Sequence, residues 1–283
     1  MAGVSMKDIK LRIRSMQSTK QITKAMEMVA TSKLRKAQER VLRSRPYFET
    51  LYATLTTIAE KTEDFDSPYL AEREPKKRCY VVIAGDRGLA GGYNGNVLKL
   101  AWAELQGKEA CVLPIGKKAV EFFHRRGTPI LTEAYAEAAE ISVSDCFSAA
   151  KLLCRAFLDG EFDEISVIYT SFVSILSQTP SSLKLLPLQK SGREKTGDPE
   201  CLTLYEPSSF AVYDAIIPEY IGGVIYGALC ESVASEQGAR RTAMDAATKN
   251  AEEMIEDLNL KFNRARQGAI TQEITEIVAG GES

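Results

Sequence analysis

A single histidine, His124, stands among 283 residues, and that scarcity argues against histidine-dependent catalysis. The six cysteines, Cys79, Cys111, Cys146, Cys154, Cys201 and Cys230, are scattered. They form no C-x-x-C pair, and one histidine cannot complete a metal site with them. They read as small buried hydrophobes. No apolar run approaches the roughly 20 residues of a bilayer-spanning helix, and the N-terminus lacks the apolar stretch of a secretory signal, so a cytoplasmic chain is expected. Proline is missing from Met1 to Arg45 and from Glu219 to Ser283, while Pro68, Pro75, Pro114, Pro129, Pro180, Pro187, Pro199 and Pro207 crowd the middle. Long helices therefore belong at the two ends.

What is present has the balance of an ordinary soluble protein. Hydrophobic residues make up 45% and charged residues 26%, which excludes both a disordered tail and a membrane-spanning bundle. The length exceeds one compact domain without reaching two full enzymes, so one core plus an additional element is expected. The net charge of −2 conceals an asymmetry: residues 7 to 45 hold twelve Lys or Arg against three acids, Asp8, Glu27 and Glu39. That end of the chain expects an acidic partner.

Apolar or small residues recur at steps of three and four through Ile9, Ile13, Met16, Thr19, Thr23, Met26, Ala30, Leu34, Ala37, Val41, Ser44, Phe48, Leu51, Leu55 and Ile58, the stripe of a helix packed along one seam. A helix over residues 5 to 60 would span about 80 Å at 1.5 Å per residue, with a bend or the start of a new turn expected at Pro46. The C-terminal part repeats the pattern through Met244, Thr248, Ala251, Ile255, Leu258, Phe262, Ala265 and Ala269 and on to Ile274, Ile277 and Val278. Two such helices bury each other's seams as an antiparallel coiled coil. Threonine and alanine bury little area at roughly 25 cal/mol per Å², so the seam is weak and calls for an outside sleeve. Gly222, Gly223, Gly227 and Gly238 each disfavour helix by roughly 1 kcal/mol relative to alanine, which predicts a late or soft start to the second helix.

Between the helices, Cys79–Ala84, Ala110–Ile115 and Ile165–Thr170 read as buried strands. Helical patterns follow at 95–106, 117–126 and 143–158. The alternation predicts an open, Rossmann-like α/β sheet of about five strands, with 188–200 as a surface loop. The division expected is 1–60 for the first helix, 76–205 for the α/β domain and 208–283 for the second helix. His124, in Phe122-Phe123-His124-Arg125-Arg126, is expected at a helix end.

Three segments stand out. Gly85-Asp86-Arg87-Gly88-Leu89-Ala90-Gly91-Gly92-Tyr93-Asn94 follows a strand and opens a helix. Glycines there can offer backbone N–H groups to a phosphate, but no P-loop Lys-Ser/Thr is present and the G-x-G-x-x-G spacing is not met. The plainer reading is a tight turn with Asp86 and Arg87 available to a partner. Gln21 to Lys36 is a basic helix, either a solvated face or a nucleic-acid arm, although no aromatic platform accompanies the charge. Asn263 to Val278 is an amphipathic helix end. A nucleotide-dependent α/β enzyme and a basic nucleic-acid binder are the two rival classes, and neither accounts for the last segment.

In this order the segments resemble the F-type ATP synthase gamma subunit family, whose motifs read ITKAMEMVA-SK near the start (Ile22–Lys33), DRGL-GG-N after the first strand (Asp86–Asn94) and ARQ-ITQE-TEIV at the end (Ala265–Val278). The resemblance covers the whole chain. It implies a bacterial, non-catalytic rotating central stalk without a cofactor. Its expected partners are three alpha and three beta subunits, an epsilon subunit beside the α/β domain, and the c-ring; neither nucleic acid nor direct bilayer insertion is implied. The expected location is peripheral, on the cytoplasmic side of the inner membrane. Carried onto this sequence, the resemblance assigns beta-subunit contacts to Lys24, Met26, Arg87, Ala90, Arg240, Arg266, Gln267 and Thr271. It places the apolar bearing at Ile274, Ile277 and Val278, and the c-ring contact at Tyr205 and Glu206. The redox-active cysteine pair of chloroplast members has no counterpart here.

Overall fold

A computed structural model describes residues 6–61, 67–70, 74–188 and 205–281. The predicted loop at 189–200 and Cys201 lie outside them, as do the side chains of Val41, Ser44, Phe48 and Val278. In chain order the elements are α1 (Met6–Lys61), a 3-10 turn at Pro68–Leu70, β1 (Lys77–Ile83), α2 (Tyr93–Leu105), β2 (Glu109–Ile115), α3 (Lys117–His124), α4 (Val143–Leu158), β3 (Glu164–Phe172), β4 (Gln178–Leu186) and α5 (Ser209–Gly281). Contacts divide the chain into two units, 1–31 with 240–283, and 32–239. The division cuts each long helix into two parts and does not fall at the helix ends.

In the first unit the two helices run antiparallel. Lys20 pairs with Glu252 at 2.9 Å and Thr23 Oγ1 meets Thr248 Oγ1 at 2.7 Å, so advancing along α1 means retreating along α5. The buried positions are Ile9, Thr23 and Ala30 on α1 and Met244, Thr248 and Ala251 on α5, all on the predicted stripes. Thr19 departs from the stripe: it is exposed and its hydroxyl turns back to the Ser15 carbonyl. Half-buried Lys20 takes its place, laying its aliphatic stem over the seam while the ammonium reaches Glu252. The buried threonine pair is satisfied in series. The Thr248 hydroxyl reaches its own Met244 carbonyl at 2.8 Å and the Thr23 hydroxyl its own Lys20 carbonyl at 3.1 Å, so each oxygen has a helix carbonyl as well as the other threonine for a partner.

The second unit is a four-stranded sheet of order β2-β1-β3-β4. β1 is parallel to β2 and β3, while β4 is antiparallel to β3. Alternation along the strands feeds two cores. Cys79, Val81, Ile83, Leu113, Ile115, Ile165 and Val167 face α4, the end of α1 and the start of α5; Tyr80, Val82, Ala84, Val112 and Ile168 face α2 and α3. Among the described residues the sheet has four strands, where about five were expected. What remains of a fifth is a single parallel bridge between Val112 and Ile130, held by two backbone bonds of 2.9 Å to Pro129 and Leu131. β4 escaped the strand reading because its polar, Pro180-containing sequence is that of an edge strand.

α1 runs through Pro46 as one helix, and the second helix does not start late. α5 begins at Ser209 and runs through all four glycines without interruption, because packing supplies what propensity lacks: a Cβ built on Gly222 would overlap the Phe147 ring. Glycine at 222 is what lets α4 approach α5 there.

Candidate functional site

The glycine-rich turn is closed by its own side chains. Asn94 Oδ1 accepts from the Gly85 N–H at 2.8 Å, and its Nδ2 donates to the Arg87 carbonyl at 3.1 Å. Asp86 is consumed internally, not left for a partner. Its carboxylate accepts the N–H groups of Lys117 at 3.1 Å, Ala138 at 2.9 Å and Ala139 at 3.0 Å, so the N-terminus of α3 already has its anion. Asn94 and Asp86 thus take up the N–H groups of Gly85 and of the α3 N-terminus from within the fold. Left-handed backbone at Leu89 (φ 61°) and Gly91 (φ 53°) turns the chain sharply. Ala90 is driven inward, 2% exposed, while Leu89 stands 66% exposed beside exposed Arg87. Of the two contact positions expected here, Arg87 is accessible and Ala90 is not. The outward-facing apolar group is Leu89, which sequence reasoning passed over because its left-handed backbone is not legible in the motif.

On the N-terminal helix Lys24 is exposed and paired with Glu27 at 2.9 Å; the neighbouring carboxylate holds its ammonium above the ordinary lysine value. Met26 is half-buried on the seam side. Around it the apolar side chains of Ile22, Met28 and Val29 face solvent, each more than half exposed, as do those of Leu11 and Leu42 further along the helix in either direction. Ile22 and Val29 are seven residues apart, a second stripe readable only once Thr23 and Ala30 are known to be the seam. In the second unit Lys33, Lys36 and Arg40 form one wall of a cavity of about 230 Å³ opposite Cys230 and Glu236 of α5.

Toward the C-terminus, Arg240 is half-buried, and Arg266, Gln267 and Thr271 are exposed. The Thr271 hydroxyl donates to the Gln267 carbonyl at 2.9 Å. Ile274 and Ile277 are 56% and 74% exposed, an apolar face left uncovered. Tyr205 is half-buried against the larger core and borders a groove along Pro46, Thr50 and Thr54 of α1, while Glu206 is exposed. His124 ends α3 and meets Glu133 at 2.7 Å. Among the described residues no cluster of His, Cys, Asp or Glu could hold a metal ion, and no helix is long and apolar enough to cross a membrane.

The surface thus offers basic, apolar and polar contact groups along two paired helices and one loop. Residues 5–283 match the family model described as ATP synthase. An ATP synthase gamma chain from Ruminococcus albus is 46% identical over 279 residues, covering 96% of each chain, and one from Alkaliphilus metalliredigens is 46% identical over 286 residues, covering 99% of each. The chain belongs to the ATP synthase gamma chain family. Solved structures agree at the level of fold. The rotor of the Euglena gracilis mitochondrial ATP synthase gives a TM-score of 0.63 at 20% identity over 94% of this chain and 98% of that one. The central stalk of the Tetrahymena thermophila enzyme gives 0.59 at 23% identity over 80% and 99%. Gamma chains are stalk subunits that carry no catalytic centre.

Proposed function

We propose that this chain, a non-catalytic central-stalk subunit of ATP synthase, turns inside a ring of three alpha and three beta subunits and couples ion flow through a c-ring to events at the beta sites. The observation that carries the reading is 46% identity to gamma chains along nearly the whole length, joined to two antiparallel helices whose buried seam is threonine and alanine apart from Ile9 and Met244. Such a seam gains little by itself; surrounding subunits supply the remaining contacts. An epsilon subunit lies beside the α/β domain, and the complex sits peripherally on the cytoplasmic side of the inner membrane.

In this reading Lys24, Met26, Arg87 and, in place of buried Ala90, Leu89 meet an acidic lever of beta. The cationic wall of Lys33, Lys36 and Arg40 suits the same partner. Arg240, Arg266, Gln267 and Thr271 make polar contacts to beta, Ile274, Ile277 and Val278 turn in an apolar bearing, and Tyr205 with Glu206 rests on the c-ring. Moving one site from 1:99 to 99:1 takes about 5.5 kcal/mol of differential interaction, and many modest contacts provide it. Met26→Ala is therefore expected to leave rotation coupled; complete uncoupling with intact assembly would refute the distributed mechanism. The assignment as a whole is tested by ATP hydrolysis of purified alpha and beta with and without this chain, a bead on the α/β domain reporting rotation. Stepwise turning of a three-three-one assembly is expected, and a folded chain that neither assembles nor turns would overturn the reading.

A further inference from the structure

At the carboxyl end of the sheet β1 stops short of β3. The last register pair between them is Val82 with Ile168, whereas β3 continues to Phe172. On its other side Thr170 stands opposite Pro180 of β4, and both its N–H and its carbonyl point away from that strand. The overrunning backbone needs partners from elsewhere, and α5 provides three. The Thr170 N–H donates to Ser232 Oγ at 3.1 Å, the Ser235 hydroxyl donates to the Thr170 carbonyl at 3.1 Å, and the Phe172 N–H donates to Glu231 Oε2 at 3.3 Å. Side chains of one helix thus stand in for the missing strand. Ser232 and Ser235 are fully buried. Beyond this point Phe172 and Ile175 pack with Leu34 and Ala37 of α1 and Val233 and Ala234 of α5.

We propose that this clip fixes the rotational setting of α5 on the α/β domain, making Glu231, Ser232 and Ser235 the positioning residues through which torque passes between them. The inference rests on the rotor reading above. Apolar packing is non-directional, so a helix can turn on an apolar face with little change in buried area. Hydrogen bonds weaken steeply with angle and distance. Bonds from positions i, i+1 and i+4 of the helix to alternate residues of one strand oppose both sliding and rotation. A load that broke them would strand backbone groups away from water, where an unmade bond is most costly.

The test uses the assembled complex of alpha, beta and this full chain, stalled without ATP, with a bead on the α/β domain whose thermal angular fluctuation reports torsional stiffness. The variants are the double substitution S232A/S235A, E231A, and E231Q, which keeps an acceptor oxygen. Wider fluctuation is expected in S232A/S235A and E231A and the unmodified width in E231Q. Amide exchange at Thr170 in the serine double should be faster by about five- to tenfold, the factor given by losing one ordinary hydrogen bond. Unmodified width in both S232A/S235A and E231A would overturn the clip. If the serine double does not assemble, E231A against E231Q decides, because half-exposed Glu231 tolerates either change. Failure of the unmodified chain to rotate would overturn the rotor reading and this inference with it; rotation with unchanged stiffness in the variants overturns the clip alone.

Discussion

Single residues in this chain acquire their roles from what surrounds them. Thr170 is 2% exposed and its hydroxyl oxygen is buried without a hydrogen-bond partner, although its backbone is clipped on both sides. Thr170→Val keeps the shape and removes an unsatisfied polar group, so it should raise the denaturation midpoint by the equivalent of about 1 kcal/mol; a loss of similar size would mean that the hydroxyl is satisfied. Two glycines of one helix should respond with opposite signs. A Cβ at Gly227 meets nothing within 4 Å, so Gly227→Ala should stabilise by about 1 kcal/mol. At Gly222 the Cβ would strike Phe147, including its Cα at 3.1 Å, and Gly222→Ala should cost about 1–3 kcal/mol. Urea midpoints of the pair decide the matter, and equal signs would contradict the packing described. None of this was legible in the sequence, where all four glycines looked alike. Nor was the fate of Asp86, whose three backbone partners come from residues about 30 and 50 positions away.

For whole elements, periodicity served well where one face is buried. The stripes on α1 and α5 place every buried position of the first unit, because a repeat of three and four can satisfy only a helix with one covered side. The pattern misjudged Thr19, since a long lysine at position 20 covers the seam as well as a small residue does. The helix passes through Pro46, and Pro46→Ala restores a backbone N–H and removes a clash with the preceding turn. Circular dichroism should then report equal or greater helicity, with a gain of up to about 3 kcal/mol in unfolding free energy; lower stability would show that the proline ring itself is packed usefully. β4 was hidden for the converse reason. An edge strand is covered on one side only and carries polar residues, so neither a hydrophobic run nor a clean alternation marks it.

For the molecule as a whole, burial leaves a signature in pH dependence. Burial pushes the thiols of Cys146 and Cys154 up to about 12 from an ordinary 9.0, and the phenols of Tyr213, Tyr220 and Tyr226 to about 12 from 10.0. In each case the folded chain holds its proton where the unfolded chain has lost it. That contribution is complete below the unfolded value and is lost as pH rises through the folded one. Thermal midpoints should therefore fall steadily from about pH 9 towards pH 12, and native Cys146 and Cys154 should resist thiol reagents at neutral pH until the chain unfolds. A flat alkaline profile, or rapid labelling of these two cysteines in the folded chain, would contradict their burial.

By itself the sequence determined the two terminal helices, their antiparallel pairing, the three core strands and the family, because those follow from local periodicity, proline placement and contiguous motifs. The tertiary structure alone decided that the described sheet has four strands, that Asn94 closes the glycine-rich turn while Asp86 caps α3, that Leu89 and not Ala90 faces outward, and that α5 replaces a strand beside Thr170. Each of these depends on hydrogen-bond donors and acceptors distant in sequence finding one another. Periodicity records which side of an element is covered; it carries no information about which distant group covers it.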